Sequence, residues 1–245
     1  MKIMLAVAAK DIKEAFRNRS TYIYIAFLFL ISFPTLEGLR TAFGRAGQGA
    51  SDAALESTSR AFLRATVSTL PLTLTMLFCT YLSAYAIVLE KAKRTLESLL
   101  ATPASLRQVW MGKTLAVAVP SVAATVLVLI VAVIVLNVGV IVPRTGSFVL
   151  PDALSLITGL VLVPLLAFEV VAAVSVLQLI VSNPRVANFA FVAVFFGFYL
   201  MTVTQLAAHW DFSLIYVAVL AAMAAVNLAL SRLLTKERVI LSSKA

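Results

Sequence analysis

The sequence is divided into apolar blocks of about 20 residues or more, and no other feature limits its fold as strongly. A helix needs about 20 apolar residues to cross the roughly 30 Å hydrocarbon core of a bilayer. Composition agrees, because 62% of the 245 residues are hydrophobic and only 13% are charged, whereas soluble domains carry about 25% charged residues. The sequence therefore predicts an all-α polytopic membrane protein.

Six transmembrane helices are predicted, within a single transmembrane domain that covers residues 1–245. An amphipathic helix is predicted to precede them over residues 2–19, because its apolar residues recur at helical spacing beside basic ones. Such a helix is expected to lie in the membrane interface. The predicted spans cover about 20–38, 66–89, 114–142, 154–181, 188–207 and 212–234.

The distribution of basic residues predicts the orientation of the chain. With six spans both termini lie on one side, and of the 20 Lys and Arg residues only five fall on the other side: Arg40, Arg45, Arg60, Arg64 and Arg144. The positive-inside rule therefore places both termini in the cytoplasm of a cell-membrane protein. Because topology accounts for the net charge of +9, no nucleic-acid partner is expected.

The longest charged segment between two apolar blocks is EKAKRTLESLLATPASLRQVWMGK, residues 90–113. A helix is predicted to continue from the second span through Glu90 to Leu100, and Thr102-Pro103 is predicted to end it. Ser105 and Gln108 fit a capping box that begins a second helix. The segment therefore predicts a cytoplasmic helical hairpin, which is either a simple connection between spans two and three or a lever for a cytoplasmic partner.

The triplet Gly112-Lys113-Thr114 at the end of this segment is similar to the end of a phosphate-binding loop. Arg107 stands where such a loop needs its first glycine, and an apolar span follows. We therefore predict no nucleotide site and interpret Gly112 as a small packing residue and Lys113 as an anchor at the membrane interface. With a single histidine, His209, no metal site is predicted either.

Two stretches of the sequence resemble a known family. The segment EKAKRTLESLLATPAS with Gly-Lys at 112–113 is similar to the cytoplasmic loop of ABC transporter permeases of the second type, the six-span half-transporters of the type V exporter fold without a fused ATPase. KDIKEAFRNRS at 10–20 resembles the interfacial elbow of that family. The family pattern often has glycine after the basic cluster, where this chain has Lys93-Arg94-Thr95.

The resemblance implies partners rather than chemistry within this chain. It implies a separate cytoplasmic ATPase subunit that holds ATP and Mg, a second permease subunit (a further copy or a close paralogue), and no enzymatic activity or cofactor here. It also implies an ATPase-coupling surface. That surface would comprise Glu90, Arg94, Thr95, Glu97, Leu100 and Pro103, flanked by Arg17 and Arg19.

Polar residues are rare inside the predicted spans. Glu169 lies near the middle of the fourth span, where a charge is costly. It is either a cation or proton site, a polar lining of a substrate path, or a protonated side chain hydrogen-bonded between helices. Asn137, Gln178 and Asn227 are predicted to form interhelical hydrogen bonds.

The resemblance places the first, second and fifth spans beside the transport path. Phe29, Phe33 and Phe195 are therefore candidate lining residues together with Glu169. The leading hypothesis is a permease subunit of an ATP-driven exporter. The alternatives are an ion-coupled carrier or channel that uses Glu169, and a membrane scaffold that transports nothing.

Overall fold

The protein is all-helical over the residues that its structure, a computed structural model, describes. These are residues 2–46, 51–93, 104–181, 183, 189, 192–193, 212–235 and 239. Six main helices occur in these ranges: α1 (Lys2–Arg17), α2 (Arg19–Ala46), α3 (Asp52–Ser83), α4 (Leu106–Leu136), α5 (Val163–Ile180) and α6 (Phe212–Leu233).

Three of the helices are extended by π-helical segments. Helix α3 continues through Ala84–Leu89 into Glu90–Ala92, and α4 continues through Asn137–Ile141 into Val142–Thr145. Helix α5 is preceded by Ala153–Ile157 and the π-helical Thr158–Leu162. These extensions are included below in the names α3, α4 and α5.

Local capping chemistry explains where the helices begin. The Ser51 hydroxyl accepts a hydrogen bond from the backbone N–H of Ala54, and α3 starts one residue after Ser51. The predicted box at Ser105 and Gln108 is confirmed in both directions, at 2.9 and 3.3 Å. At the second connection, Gly146 has a φ of 70° and ends α4, a conformation that glycine adopts without strain.

Within the described ranges, four helices are long and apolar enough to cross a membrane: Ala53–Lys91, Leu106–Thr145, Ala153–Ile180 and Leu214–Leu233. They coincide with the second, third, fourth and sixth predicted spans. The first predicted span lies inside α2. The fifth predicted span, 188–207, falls almost entirely outside the described residues.

Two helix boundaries differ from the predicted ones. Helix α2 extends to Ala46, eight residues beyond the predicted end of the first span, because neither Pro34 nor Gly38 ends it. Helix α3 begins at Asp52, well before the predicted start of the second span at about residue 66, and is continuous with that span. Residues 52–65 contain no glycine or proline, so nothing in them interrupts the helix.

The core lies between α3, α4 and α5. Side-chain hydrogen bonds join these helices pairwise: Thr75 of α3 to Thr125 of α4 at 3.0 Å, and Trp110 of α4 to the Ala172 carbonyl of α5 at 2.9 Å. Since lipid provides no hydrophobic force between helices, such bonds and close packing hold them together. Helix α1 packs against the beginning of α4. We call this end of the bundle the α1 end and the opposite one the far end.

Candidate functional site

The α1 end brings together the two stems of residues 94–103: the end of α3 before the segment and the beginning of α4 after it. Helix α1 packs against the second stem at Gly112. A Cβ atom at that position would lie 2.9 Å from the carbonyl oxygen of Met4 and 3.0 Å from the Cβ of Val7. Gly112 therefore allows the two backbones to approach closely, which confirms its interpretation as a small packing residue.

Four charged side chains form a network between these elements, which we call the ionic junction: Lys10 and Asp11 of α1, Glu90 of α3 and Lys113 of α4. The Lys113 Nζ lies 2.7 Å from Asp11 Oδ2 and 2.5 Å from Glu90 Oε2. The Lys10 Nζ lies 3.3 Å from Glu90 Oε1. The junction thus joins three separate helices through one pair of lysines and one pair of carboxylates.

The junction is buried around Lys113 and opens to solvent at Lys10. The side chains of Lys113, Asp11 and Glu90 are 0%, 4% and 14% exposed, whereas that of Lys10 is 56% exposed. Lys113 was predicted to anchor the chain at the membrane interface, and that interpretation is wrong. The ammonium is buried because two carboxylates neutralise it, and a buried charge is tolerated only when it is paired.

The ionisation of the two α1 residues reflects this arrangement. Burial raises the pKa of the Asp11 carboxyl, and the charge of Lys113 opposes that increase without cancelling it. For Lys10, partial burial lowers the pKa while the nearby Glu90 carboxylate raises it, and the net direction is upward. A lysine with a raised pKa stays protonated, so Lys10 remains a cation beside Glu90.

The same carboxylates could be mistaken for a metal centre. Oxygen atoms of Asp11, Glu14 and Glu90 all lie within 4.8 Å of one another. The ammonium groups of Lys113 and Lys10 approach the same oxygens and supply the positive charge that a cation would bring. The cluster is therefore an ion-pair network.

Lys91, the residue after Glu90, is turned to a different helix. Its Nζ donates to three backbone carbonyls at the end of α5: Val181 at 2.6 Å, Gln178 at 3.2 Å and Leu179 at 3.3 Å. Only 6% of Lys91 is exposed. The last carbonyls of a helix have no partner within it, and a cation there also interacts favourably with the helix dipole.

The predicted coupling residues are placed as follows. Glu90 belongs to the ionic junction. Arg17 and Arg19 have exposed side chains on either side of Asn18, where α1 ends and α2 begins. The Asn18 side chain accepts from the N–H of Ser20 at 3.0 Å, which fixes this break. The remaining predicted residues lie outside the described ranges: Arg94, Thr95, Glu97, Leu100 and Pro103.

A cleft of about 520 Å³ opens beside the ionic junction, between α1 and α3. Its floor is apolar, with Leu82 and Ala86 of α3, and its rim carries charges of both signs from Glu14, Arg17 and Lys93. The α1 end therefore presents a concave surface with charged edges next to residues 94–103.

Deeper in the bundle, Glu169 is partly buried and bonded to a neighbouring helix. The Asn227 amide of α6 donates to the Glu169 carboxylate and also, at 2.8 Å, to its backbone carbonyl. The interhelical role of Asn227 is therefore confirmed, and the ion-site and path-lining alternatives for Glu169 stay predictions. Gln178 is likewise confirmed, since its amide donates to the Ser83 hydroxyl of α3 at 3.2 Å.

Asn137 makes a different set of bonds from the predicted one. Its amide donates to the Val133 carbonyl in the same helix, and its oxygen accepts from the backbone N–H of Val149 at 2.9 Å. It therefore holds the connection at the far end of the bundle instead of bonding to a second span. A buried amide next to a turn finds backbone groups nearer than another helix.

The candidate path residues lie in different settings. Phe29 is half-buried and packs against the core, whereas 61% of Phe33 is exposed on α2. Phe195 lies outside the described residues. Their assignment to a transport path stays a prediction from the resemblance.

Sequence reasoning missed the roles of Asp11 and Lys91 at the α1 end, and it did not predict that Lys113 is buried between two carboxylates. A signal existed for Asp11, because it falls at the helical spacing of the buried residues Val7, Ala8 and Ala15, on the apolar face of α1. An acid on such a face predicts a buried cation nearby. Nothing local to Lys91 indicates which helix it caps.

Four long apolar helices, with an amphipathic helix packed at one end, are typical of a polytopic membrane protein. Comparison with family models specifies it further. The model of the ABC-2 family transporter protein matches residues 17–197, more than half of the chain, and the chain therefore belongs to that family. Permeases of this family are membrane components that generally work with an ATPase partner. A comparison with curated proteins gave no match.

Proposed function

We propose that the chain is the membrane subunit of an ATP-driven exporter, paired with a second permease subunit and driven by a separate cytoplasmic ABC ATPase. In this proposal the α1 end faces the cytoplasm, and the ATPase contacts residues 94–103 together with the exposed Arg17 and Arg19. Movement of the ATPase displaces the segment, and the spans tilt in response. The chain itself carries out no bond chemistry.

The observation that carries the proposal is the attachment of both stems of residues 94–103 to the bundle. Glu90 precedes the segment and Lys113 follows it, and the two side chains are bonded to each other at 2.5 Å and to α1. A segment on which a partner pushes transmits force only if its ends cannot yield independently. A freely hinged loop would absorb the displacement.

Glu90 and Glu97 are assigned different roles in the proposed coupling. Because Glu90 lies between two lysine ammoniums, we assign it to the anchoring of the segment and not to direct contact with the ATPase. Reversing its charge would place a third cation beside Lys10 and Lys113 and would disrupt the junction. Glu97, in the segment itself, is the cleaner residue for testing the partner contact.

The Glu97→Lys variant is expected to lose the ATPase partner while remaining inserted. The test is to purify the tagged chain from its native membrane and to quantify any ABC ATPase in the eluate. We expect at least a tenfold weaker association, equivalent to about 1.4 kcal/mol. Glu56→Lys is the matched control, because Glu56 belongs to the far end and pairs only at the surface with Arg60. If both variants retain the ATPase equally, or if the wild type brings none, the proposal is contradicted.

The Glu169→Gln variant separates the proposal from an ion-coupled carrier. Gln is neutral and of the same size, and its carbonyl oxygen still accepts from Asn227. We therefore expect ATP hydrolysis by the complex to stay within about twofold of the wild-type rate, since the structure uses Glu169 as an interhelical acceptor. The carrier would be favoured if the wild-type chain transported substrate under an imposed proton gradient without any ATPase, and if Glu169→Gln abolished that transport.

A further inference from the structure

The end of α3 is bonded to three other helices by two consecutive residues, Glu90 and Lys91. Glu90 binds Lys113 of α4 and Lys10 of α1, whereas Lys91 donates to the last carbonyls of α5. About two turns earlier, the Ser83 hydroxyl accepts from the Gln178 amide of α5 at 3.2 Å. Helix α3 is therefore linked to α5 by two polar contacts placed directly before residues 94–103.

The Lys91 contact is an unusual way to pack two helices. A buried ammonium loses its hydration, and here backbone carbonyls of α5 replace it. An apolar side chain of the same length would fill the space without that loss. What the lysine adds is a set of directional hydrogen bonds to the terminal carbonyls of one specific helix, where a cation also interacts favourably with the helix dipole.

Helix α5 in turn contacts the rest of the bundle. Its Ala172 carbonyl accepts from Trp110 of α4, and its Glu169 accepts from Asn227 of α6. A displacement that reaches the end of α5 would therefore reach α6 as well. Helices α3 and α5 also pack against each other in the core. Without the polar contacts that packing would remain, but the last carbonyls of α5 would no longer be bonded to the end of α3, where the proposed movement of residues 94–103 enters the bundle.

We infer that Lys91 is a positioning residue that makes α5 follow the ATPase-driven movement of α3, so that the two adjacent residues Glu90 and Lys91 distribute that movement to opposite sides of the bundle. This inference rests on the proposed function. It assigns to the α3–α5 contact a role in the ATP cycle beyond helix capping.

The test measures whether α1 and α5 keep their spacing when ATP is trapped. Spin labels are placed at the exposed Ala6 of α1 and the partly exposed Ile180 of α5, in a Cys79→Ser background that removes the only cysteine. Distances are recorded in the purified complex with its ATPase, before and after addition of ATP and vanadate. In the wild type the mean distance is expected to stay unchanged.

The Lys91→Met variant is expected to show a nucleotide-dependent change, because α1 and α3 move while α5 stays behind. Lys91→Arg retains a cation at the carbonyls and should behave as the wild type does, and so should Lys2→Met, a loss of charge at an exposed site on α1. Ser83→Ala removes the second contact without exposing a buried carbonyl cluster. Ser83→Ala should give a smaller change of distance in the same direction, and it provides the test if Lys91→Met fails to fold.

Three results would overturn the inference. The first is an unchanged distance in Lys91→Met with and without nucleotide, while ATP hydrolysis continues. The second is a distance in Lys91→Met that is already altered without nucleotide and does not respond to ATP, because this is expected if Lys91 only caps α5. The third is a chain that associates with no ATPase, which removes the proposed function and the inference together and is recognised by the absence of ATP hydrolysis.

Discussion

Replacing Lys113 with methionine is expected to destabilise the protein by about 3–5 kcal/mol, the cost typical of removing one partner from a buried ion pair. Methionine fills much of the same space, so the loss is mainly electrostatic. Asp11 and Glu90 would be left as two neighbouring buried carboxylates without the ammonium that lies between them. Helix α1 would then lose its buried ion pair with α4.

Thermal unfolding in nanodiscs measures this effect, and we expect a decrease of the midpoint on the order of 10 °C. Trypsin supplies a second reading, because detachment of α1 should speed cleavage at the exposed Arg17 and Arg19. Lys10→Met is the control. It removes a lysine from the same junction at an exposed position, where an ion pair contributes less than about 1 kcal/mol. Equal stability of the two variants would refute the assignment of Lys113 as the buried centre of the junction.

The second large effect is expected at Gly159, in the π-helical segment that precedes α5. A Cβ atom there would lie 2.4 Å from the Val67 carbonyl oxygen of α3 and 3.1 Å from Val67 Cγ1. The nearer atom belongs to the backbone of another helix and cannot rotate away. Gly159→Ala must therefore separate α3 from α5, at a cost of about 1–3 kcal/mol or more.

Gly139→Ala is the matched control for this prediction. Gly139 also lies in a π-helical segment, and nothing approaches within 4 Å of a Cβ atom added there. Because alanine favours helices over glycine by up to about 1 kcal/mol, this variant should be neutral or slightly stabilised. Unfolding of both variants under the same conditions decides the matter, and equal loss of stability would exclude close backbone packing at Gly159.

Much of the local structure was predictable because its causes are local. Ser51, Ser105 with Gln108, and Gly146 act on backbone groups within a few residues, so sequence spacing alone specifies them. Four span positions follow from hydropathy for the same reason. The uninterrupted α3 was harder to predict, because a helix that leaves the membrane continues wherever no residue stops it.

The ionic junction could be predicted only in part. The Gly-Lys pair at 112–113 was recognised, and Gly112 was interpreted correctly from its size. The setting of Lys113 depends on Asp11, which is 102 positions away, and only the packing of α1 on α4 brings them together. Lys91 is similar, since its partners are carbonyls at the end of a helix whose position no local pattern reveals.

The central claim is that this membrane subunit works with a separate ABC ATPase. The rate of ATP hydrolysis by that ATPase tests the claim most directly. The ATPase is measured alone and after reconstitution with the wild-type chain in nanodiscs, at equal ATPase concentration. The account predicts that the membrane subunit changes the maximal rate severalfold and that Glu97→Lys abolishes the change. The same rate with and without the chain would contradict it.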